Sequence, residues 1–470
     1  MPESIKGSRL LTVARLFFLL VIIPLLLIAS LIAFSIFNLG GLSKTGTTAA
    51  LDQKAQQEIR VRAADVAQNI ADFLRERQKD ILITTILPAS AQAYKQFLDT
   101  KTYDLWVKKD TGVVKEQLPL YVEASLTDTN GNEIIKIKDG KIVPREELVN
   151  ASDPANTTYK IEDYFTKARE LNKGEVYISQ VTGWYVNKAE FEQGKRFEGI
   201  IRMATPLFDK QGFTGVLTLA MDVRALAKYT DNIIPTEAEY VLEADSSTGN
   251  YAYLVDNRGY VISHPDDYHV VGLYKDGTPV PPVTTATYEE MKMKGEEVLN
   301  LNQLGGIDPA LPEVAREAAA GKPGIKTYRF ENHTKIVAFA PVPFYTADYP
   351  KPAGFGWVGL AVDVEKFNEQ AKIESSKIEK EGQVWLTTII LIIFGAMVIL
   401  FSIAVILSRG INRSIVRFRP RRSTRPSTMM RTRQNSLLAA DTKRPRRCRR
   451  GLSHSGDTIP VTVYLFPEFR

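Results

Sequence analysis

The chain has 470 residues, 44% of them apolar and 24% charged, which fits a multi-domain globular protein and excludes a disordered chain, a collagen or a disulfide mini-protein. A single cysteine, Cys448, excludes an intrachain disulfide and a cysteine-rich zinc site. The net charge of +6 is local: residues 409–470 carry 16 Lys+Arg against 3 Asp+Glu, leaving 44 against 51 in residues 1–408. The body is mildly acidic and gives no reason to expect a nucleic-acid partner.

In chain order, residues 1–15 hold Lys6, Arg9 and Arg15 against Glu3. Residues 16–37 are then an uncharged apolar run of 22. At 1.5 Å per residue it reaches roughly 33 Å, enough to cross a bilayer core. It is too long for a signal-peptide core and no small-residue cleavage pattern follows. Residues 384–407 form a second uncharged run, of 24. Arg409, Arg413 and Arg417 follow it, while Lys372, Lys377 and Lys380 before it are balanced by Glu374, Glu379 and Glu381. Positive flanks mark the cytoplasmic side. We therefore expect a two-pass protein of the plasma or inner membrane with both termini cytoplasmic and residues 42–380 outside. Trp385 is placed as an interfacial anchor. Two spans around one large outer segment suit a receptor.

Between the spans, Leu51, Ala55, Ile59, Ala63, Val66, Ile70, Phe73, Leu74 and Ile81 recur at spacings near three and four, which predicts a helix over 51–87, ended by Pro88. A helix of this length either packs along a domain or pairs with a copy of itself, so a homodimer is expected. A weak internal repeat follows. Tyr121-Val-Glu-Ala-Ser-Leu-Thr-Asp128-Thr-Asn-Gly131 is matched by Tyr251-Ala-Tyr-Leu-Val-Asp256-Asn-Arg-Gly259. Each reads as a strand entering a D-x-x-G turn. The copies close alike, with Ala204-Thr-Pro206, then Gly215 to Asp222-Val, and Ala340-Pro341, then Gly356 to Asp363-Val. The segment after Asp363 reads as a helix leading to the second span.

On these marks the chain resembles the double Cache sensors of bacterial transmembrane receptors. The resemblance implies an α+β fold: a long helix, then two PAS-like antiparallel-sheet units, distal over 100–225 and proximal over 245–365. It implies a small extracytoplasmic ligand, usually in the distal unit. Residues 408–417 resemble the start of a HAMP linker, but the pattern departs at Phe418. Residues 418–470 are dense in Arg and Pro and lack helical periodicity. They read either as a basic arm for anionic lipid or RNA or as a frameshifted end that replaces the gene's downstream domain, the reading we favour. Output domains of such receptors are histidine kinases, chemotaxis signalling domains, cyclases or phosphatases; no such pattern occurs here.

Catalysis has little support. No P-loop, G-x-S-x-G or H-E-x-x-H occurs, and no cofactor is expected. His264-Pro-Asp-Asp267-Tyr-His269 is the one cluster that could ligate a metal for a membrane-anchored enzyme, though Pro265 breaks regular spacing and a chance cluster in a loop reads better. For binding, Trp184 and Tyr185 can wall a pocket. They match the last two residues of the R-x-W-Y motif of amino-acid-binding Cache domains, with Thr182 where that motif has Arg. By the same resemblance Asp222 takes a ligand amine. Arg202 could grip an anion, and Tyr121 and Tyr177 complete the candidate ligand site. Against this, Trp184 reads equally as core, Arg202 as solvent-facing and Asp222 as a helix cap. The expected ligand is an amino acid, amine or organic acid.

Overall fold

The computed structural model describes residue 20 and residues 23–109, 112–237, 244–367 and 369–417. Helix α1 (Ile23–Thr84) opens the chain. It begins well before residue 51 because residues 38–50 contain no proline after the apolar run, and Gly40 and Gly41 cost only about 1 kcal/mol each in a helix. It ends at Thr84, short of residue 87, because Pro88 disfavours helical geometry just before it. The amides of Ile86 and Leu87 close turns on Ile83 and Thr84 instead. Ile59, Ala63, Val66, Ile70, Leu74 and Ile81 form its buried face. That face packs against strands of both sheets described next.

Helix α2 (Ala91–Asp99) is capped by Ser90, whose Oγ accepts the Ala93 amide. A detached hairpin follows, β1 (Thr102–Lys109) and β2 (Gly112–Pro119). The distal sheet is built from β3 (Tyr121–Thr127), β4 (Glu133–Lys138), β5 (Lys141–Ile142), β6 (Tyr177–Ile178), β7 (Thr182–Gly183), β8 (Gly199–Phe208) and β9 (Phe213–Asp222). Its order is β5-β4-β3-β9-β8-β6, with β7 also on β8, all antiparallel. Helix α3 (Tyr164–Arg169) and the loops around it cover the face opposite α1. The middle of β8 and β9 is therefore buried on both sides, which is why these strands read as continuous apolar runs. Helix α4 (Lys188–Glu192) has a capping box between Asn187 and Glu190.

The proximal sheet contains β10 (Tyr251–Asp256), β11 (Val261–Ser263), β12 (Gly324–Phe330), β13 (His333–Val342) and β14 (Gly356–Asp363), in the order β11-β10-β14-β13-β12. Helices α5 (Tyr288–Lys294) and α6 (Ala310–Ala319) lie in its long β11–β12 connection. The internal repeat is real at the level of hydrogen bonds. Asp128 Oδ1 accepts the amides of Asn130 and Asn132, and Asp256 Oδ1 accepts those of Arg258 and Tyr260. Gly215, the third residue of β9, and Gly356, the first of β14, have φ of +151° and +145°. A Cβ there would lie 1.9 Å from the Thr127 carbonyl oxygen and 2.0 Å from that of Val255. In both units the strand before the turning aspartate passes too close for any side chain.

After β14 the chain enters α7 (Val364–Phe367) and α8 (Glu369–Arg417). Among the described residues one segment, Ser376–Ile403, is long and apolar enough to cross a membrane. Leu27, Leu31 and Phe34, from the run at 16–37, are exposed on α1; the run begins outside the described residues. Residues 408–417 continue α8 as helix, and the tail from 418 and residues 1–19, 21 and 22 lie outside the described residues.

Candidate functional site

The outer face of the distal sheet carries a buried charge cluster. Arg202, in the middle of β8, is 1% exposed, and a buried guanidinium is tolerated only when paired. Its Nε and Nη2 donate to Glu162 at 2.5 and 3.3 Å, and its Nη1 donates to Glu123 at 2.8 Å. The Tyr164 ring lies 4.6 Å from the guanidinium carbon. Burial would raise the Glu123 pKa, but the charges of Arg202 and Lys136 and a hydrogen bond from Thr158 hold it at about 2. Burial would lower that of Arg202, and Glu123 and Glu162 instead drive it well above its ordinary value.

Glu123 reaches this face through a bulge. The β3–β9 register shifts between Tyr121 and Glu123, so the usual rule that residues two apart share a face fails there. Tyr121 points to the other side and donates to Asp80 of α1 at 2.6 Å. It takes no part in the outer-face cluster, and no period in the sequence marks the bulge.

Beside the cluster lies a cavity of about 260 Å³, lined by Glu123, Tyr159, Ile200, Asp222 and Arg224 among others. Asp222 closes β9 and accepts the Arg224 amide at 3.0 Å, the capping role weighed from the sequence. Its Oδ2 also accepts Tyr103 Oη at 2.9 Å and Arg224 Nη2 at 2.7 Å. Burial lowers and Asp222 raises the Arg224 pKa, with a net rise. Trp184 stands behind this cavity: its ring is 5.2 Å from that of Tyr159 and packs with Ile200 and Ala220. Lys275 Nζ lies 4.9 Å from its centroid.

The remaining candidates go elsewhere. Tyr185, next to Trp184 just past β7, packs into a different cluster, with Val280 and Val298. Its hydroxyl donates to the Tyr268 carbonyl and accepts the Glu297 amide, both at 2.9 Å. It joins the distal unit to the proximal one. Tyr177 donates to Asp163 at 3.1 Å and lines a second cavity, of about 400 Å³, which Arg202 also lines. The structure thus puts Asp222 in the wall of the smaller cavity with Trp184 behind it, Arg202 beside that cavity through Glu123 and in the wall of the larger one together with Tyr177, and Tyr121 and Tyr185 in the wall of neither. Sequence reasoning missed Glu123, Glu162, Tyr159 and Arg224. A lone charge in each of two otherwise apolar strands, Glu123 and Arg202, was the available signal for a buried pair.

A cavity in the proximal unit is nearly filled. Tyr251, Tyr253, His264, Tyr328 and Phe330 leave about 20 Å³. His264 and His269 stack edge to face at 4.9 Å. Burial, His269 and Lys335 push the His264 pKa well below its ordinary value, and its Nδ1 accepts the Asp266 amide. Among the described residues no group of three or more His, Cys, Asp or Glu could hold a metal ion.

The sequence profile of the Cache domain matches residues 43–359. No curated protein sequence matches the chain. The chain is similar to the ligand-binding domain of the Pseudomonas fluorescens chemoreceptor CtaA, solved with L-isoleucine, at 14% identity, covering 68% of this chain and 96% of that one, with a TM-score of 0.36. The sensory domain of the Campylobacter jejuni chemoreceptor Tlp3 (CcmL) aligns at 11% identity over 70% and 100%, TM-score 0.37. The ligand-binding domain of Mlp24 with asparagine aligns at 13% over 68% and 99%, TM-score 0.36.

Proposed function

The chain belongs to the Cache domain family, and from that premise we propose that it is a transmembrane sensor whose distal unit binds a small solute carrying an amine, a carboxylate or both. One observation carries this reading: the distal unit holds a cavity of about 260 Å³ with Asp222, Glu123 and Arg224 in its wall, while the cavity beside Tyr251, Tyr253 and His264 of the proximal unit measures about 20 Å³. The volume suits an amino-acid-sized molecule. Asp222 and Glu123 supply the acceptors for an ammonium group. Arg224 supplies the fork for a carboxylate that Thr182 cannot. Asp222 and Arg224 pair with each other at 2.7 Å. A zwitterion would replace that contact with two, one to each partner. Tyr159, backed by Trp184, forms the apolar wall.

A ligand shifts a receptor only by binding one arrangement more tightly than another. Helix α1 touches both sheets, and β14 runs through α7 into α8, which contains Ser376–Ile403, a segment long and apolar enough to cross a membrane. These elements give a route from the distal cavity to the membrane. The proposal includes an extracytoplasmic sensor domain between two spans, a homodimer joined along α1, and no catalytic role for the domain.

The test is a thermal-shift screen of the full chain in lipid nanodiscs against amino acids, amines and organic acids. A solute at 100 times its Kd should stabilise by about 2.7 kcal/mol. The proposal expects a hit that weakens in Asp222→Asn and Trp184→Ala. A hit indifferent to both, or no hit across the three classes, counts against it.

A further inference from the structure

We propose that His333 and Asp363 form a proton-sensitive latch on the segment that joins the proximal sheet to α8, so that acidity is a second input beside the solute. His333 opens β13 and Asp363 closes β14. Asp363 does two things at once. Its Oδ1 accepts the amides of Glu365 and Lys366, at 2.8 and 3.4 Å, which starts α7. Its Oδ2 lies 2.7 Å from His333 Nδ1. Phe367 of α7 is buried, and α7 packs on β13 and β14. A change in the His333 contact therefore falls on the first turn after the sheet, just ahead of the helix that contains Ser376–Ile403.

The internal repeat singles the pair out. Asp222, the matching residue of the distal unit, also accepts the amide two residues on, that of Arg224. Its second oxygen is held by Tyr103 and the Arg224 guanidinium, and a guanidinium does not titrate in proteins. At the same place the proximal unit uses an imidazole, the side-chain type that changes charge nearest neutrality. The contact is also enclosed. Gly249, at φ +68°, passes so near that a Cβ there would lie 3.0 Å from His333 Cγ and Nδ1 and 3.2 Å from Asp363 Cβ.

The sign follows from the partner. Burial raises the Asp363 pKa, and the hydrogen bonds from His333 and the two amides bring it below its ordinary value. Asp363 is then ionised around neutrality, so His333 Nδ1 is the donor. Protonating the other ring nitrogen turns an ordinary hydrogen bond into a charge-assisted one, roughly twice as strong. A histidine with a carboxylate partner adds stability at low pH and loses it as pH rises. The latch is closed in acid and looser above neutrality. The other charged groups around the pair are Glu331 in the β12–β13 turn, Lys335 opposite Asp363 in the register, Asp266 near Lys335, Glu365 and Lys366 on α7, and Asp245, which is engaged by Ser247. Burial brings the Lys335 pKa down to about 8, so that residue needs its own control.

The experiment is amide hydrogen exchange of the full chain in nanodiscs, without added solute, read on peptides spanning residues 364–367 at about pH 5.5 and 7.5, each rate divided by the intrinsic rate at that pH. Protection should be about threefold to fivefold greater at the lower pH, the scale of a partly exposed ion pair. His333→Gln and Asp363→Asn should each abolish the difference. Asparagine still caps a helix, so in the second variant α7 keeps its start and the loss reports the charge. Lys335→Met should keep the difference. Equal protection at the two pH values in the wild type, a difference that persists in His333→Gln and Asp363→Asn, or one that vanishes in Lys335→Met would overturn the proposal. No solute is present and neither residue of the pair lines the distal cavity, so the solute reading stands or falls separately.

Discussion

Arg202 of β8 and Glu123 of β3 meet at 2.8 Å across the outer face of the distal sheet, flanking the intervening strand β9, with both side chains at most 4% exposed. Removing one member of such a pair leaves the other charge buried without compensation. Arg202→Met should therefore destabilise the chain by about 3–5 kcal/mol, read as a lower melting temperature.

The same cluster gives an acid-side signature. The folded pKa of Glu123 is about 2, below its ordinary 4.5. A depressed carboxyl contributes stability that is fully present above the ordinary value and is lost as pH falls toward the folded one. Melting temperature should fall between about pH 4.5 and 2, and Glu123→Gln should flatten that part of the profile. A slope unchanged in the variant would assign the acid lability to other carboxyls.

Lys335 gives a signature of opposite sign. It is buried on β13 with its Nζ 2.8 Å from Tyr251 Oη, and burial pulls its pKa down from 10.5 to about 8. The folded state then binds fewer protons than the unfolded one between those values, so stability rises with pH in that window. The melting temperature should climb from about pH 8 toward 10, where tyrosine ionisation in the unfolded chain begins to oppose it. Lys335→Met should remove the climb.

The paired glycines test the repeat. Gly215→Ala and Gly356→Ala each place a Cβ within 2.0 Å of a carbonyl oxygen of the neighbouring strand. Each should cost about 2–4 kcal/mol, at the upper end of single substitutions. Comparable losses at the two sites would show that both units use the same close approach.

Tyr185→Phe removes the hydroxyl that bridges Tyr268 and Glu297. The expected loss is about 1–3 kcal/mol, with the affinity of the distal cavity unchanged because Tyr185 does not line it.

The architecture was legible because its signals are periodic. The α1 face repeats at helical spacing, and the D-x-x-G turns and closing strands recur at matching offsets. The limits of α1 were not, since Gly40 and Gly41 weaken a helix without stopping it. The site was only half legible. Trp184 and Asp222 are candidates by position in a motif; the structure puts Asp222 in the wall of the smaller cavity and Trp184 against Tyr159, which lines it. Tyr121 is turned away by a bulge that shifts the face of β3, and Tyr185, past the end of β7, is held by the Tyr268 carbonyl and the Glu297 amide. Arg224 was overlooked because its role depends on geometry, a side chain folded back beside Asp222, which no spacing reveals.

The central claim is that the distal cavity receives the solute. Calorimetric titration of the best-stabilising solute into the full chain, in wild type, Asp222→Asn and Arg224→Gln, tests it most directly. The account predicts one solute per chain and a Kd raised by about tenfold or more in each variant, the loss of one charged hydrogen bond. An unchanged Kd in both would contradict it.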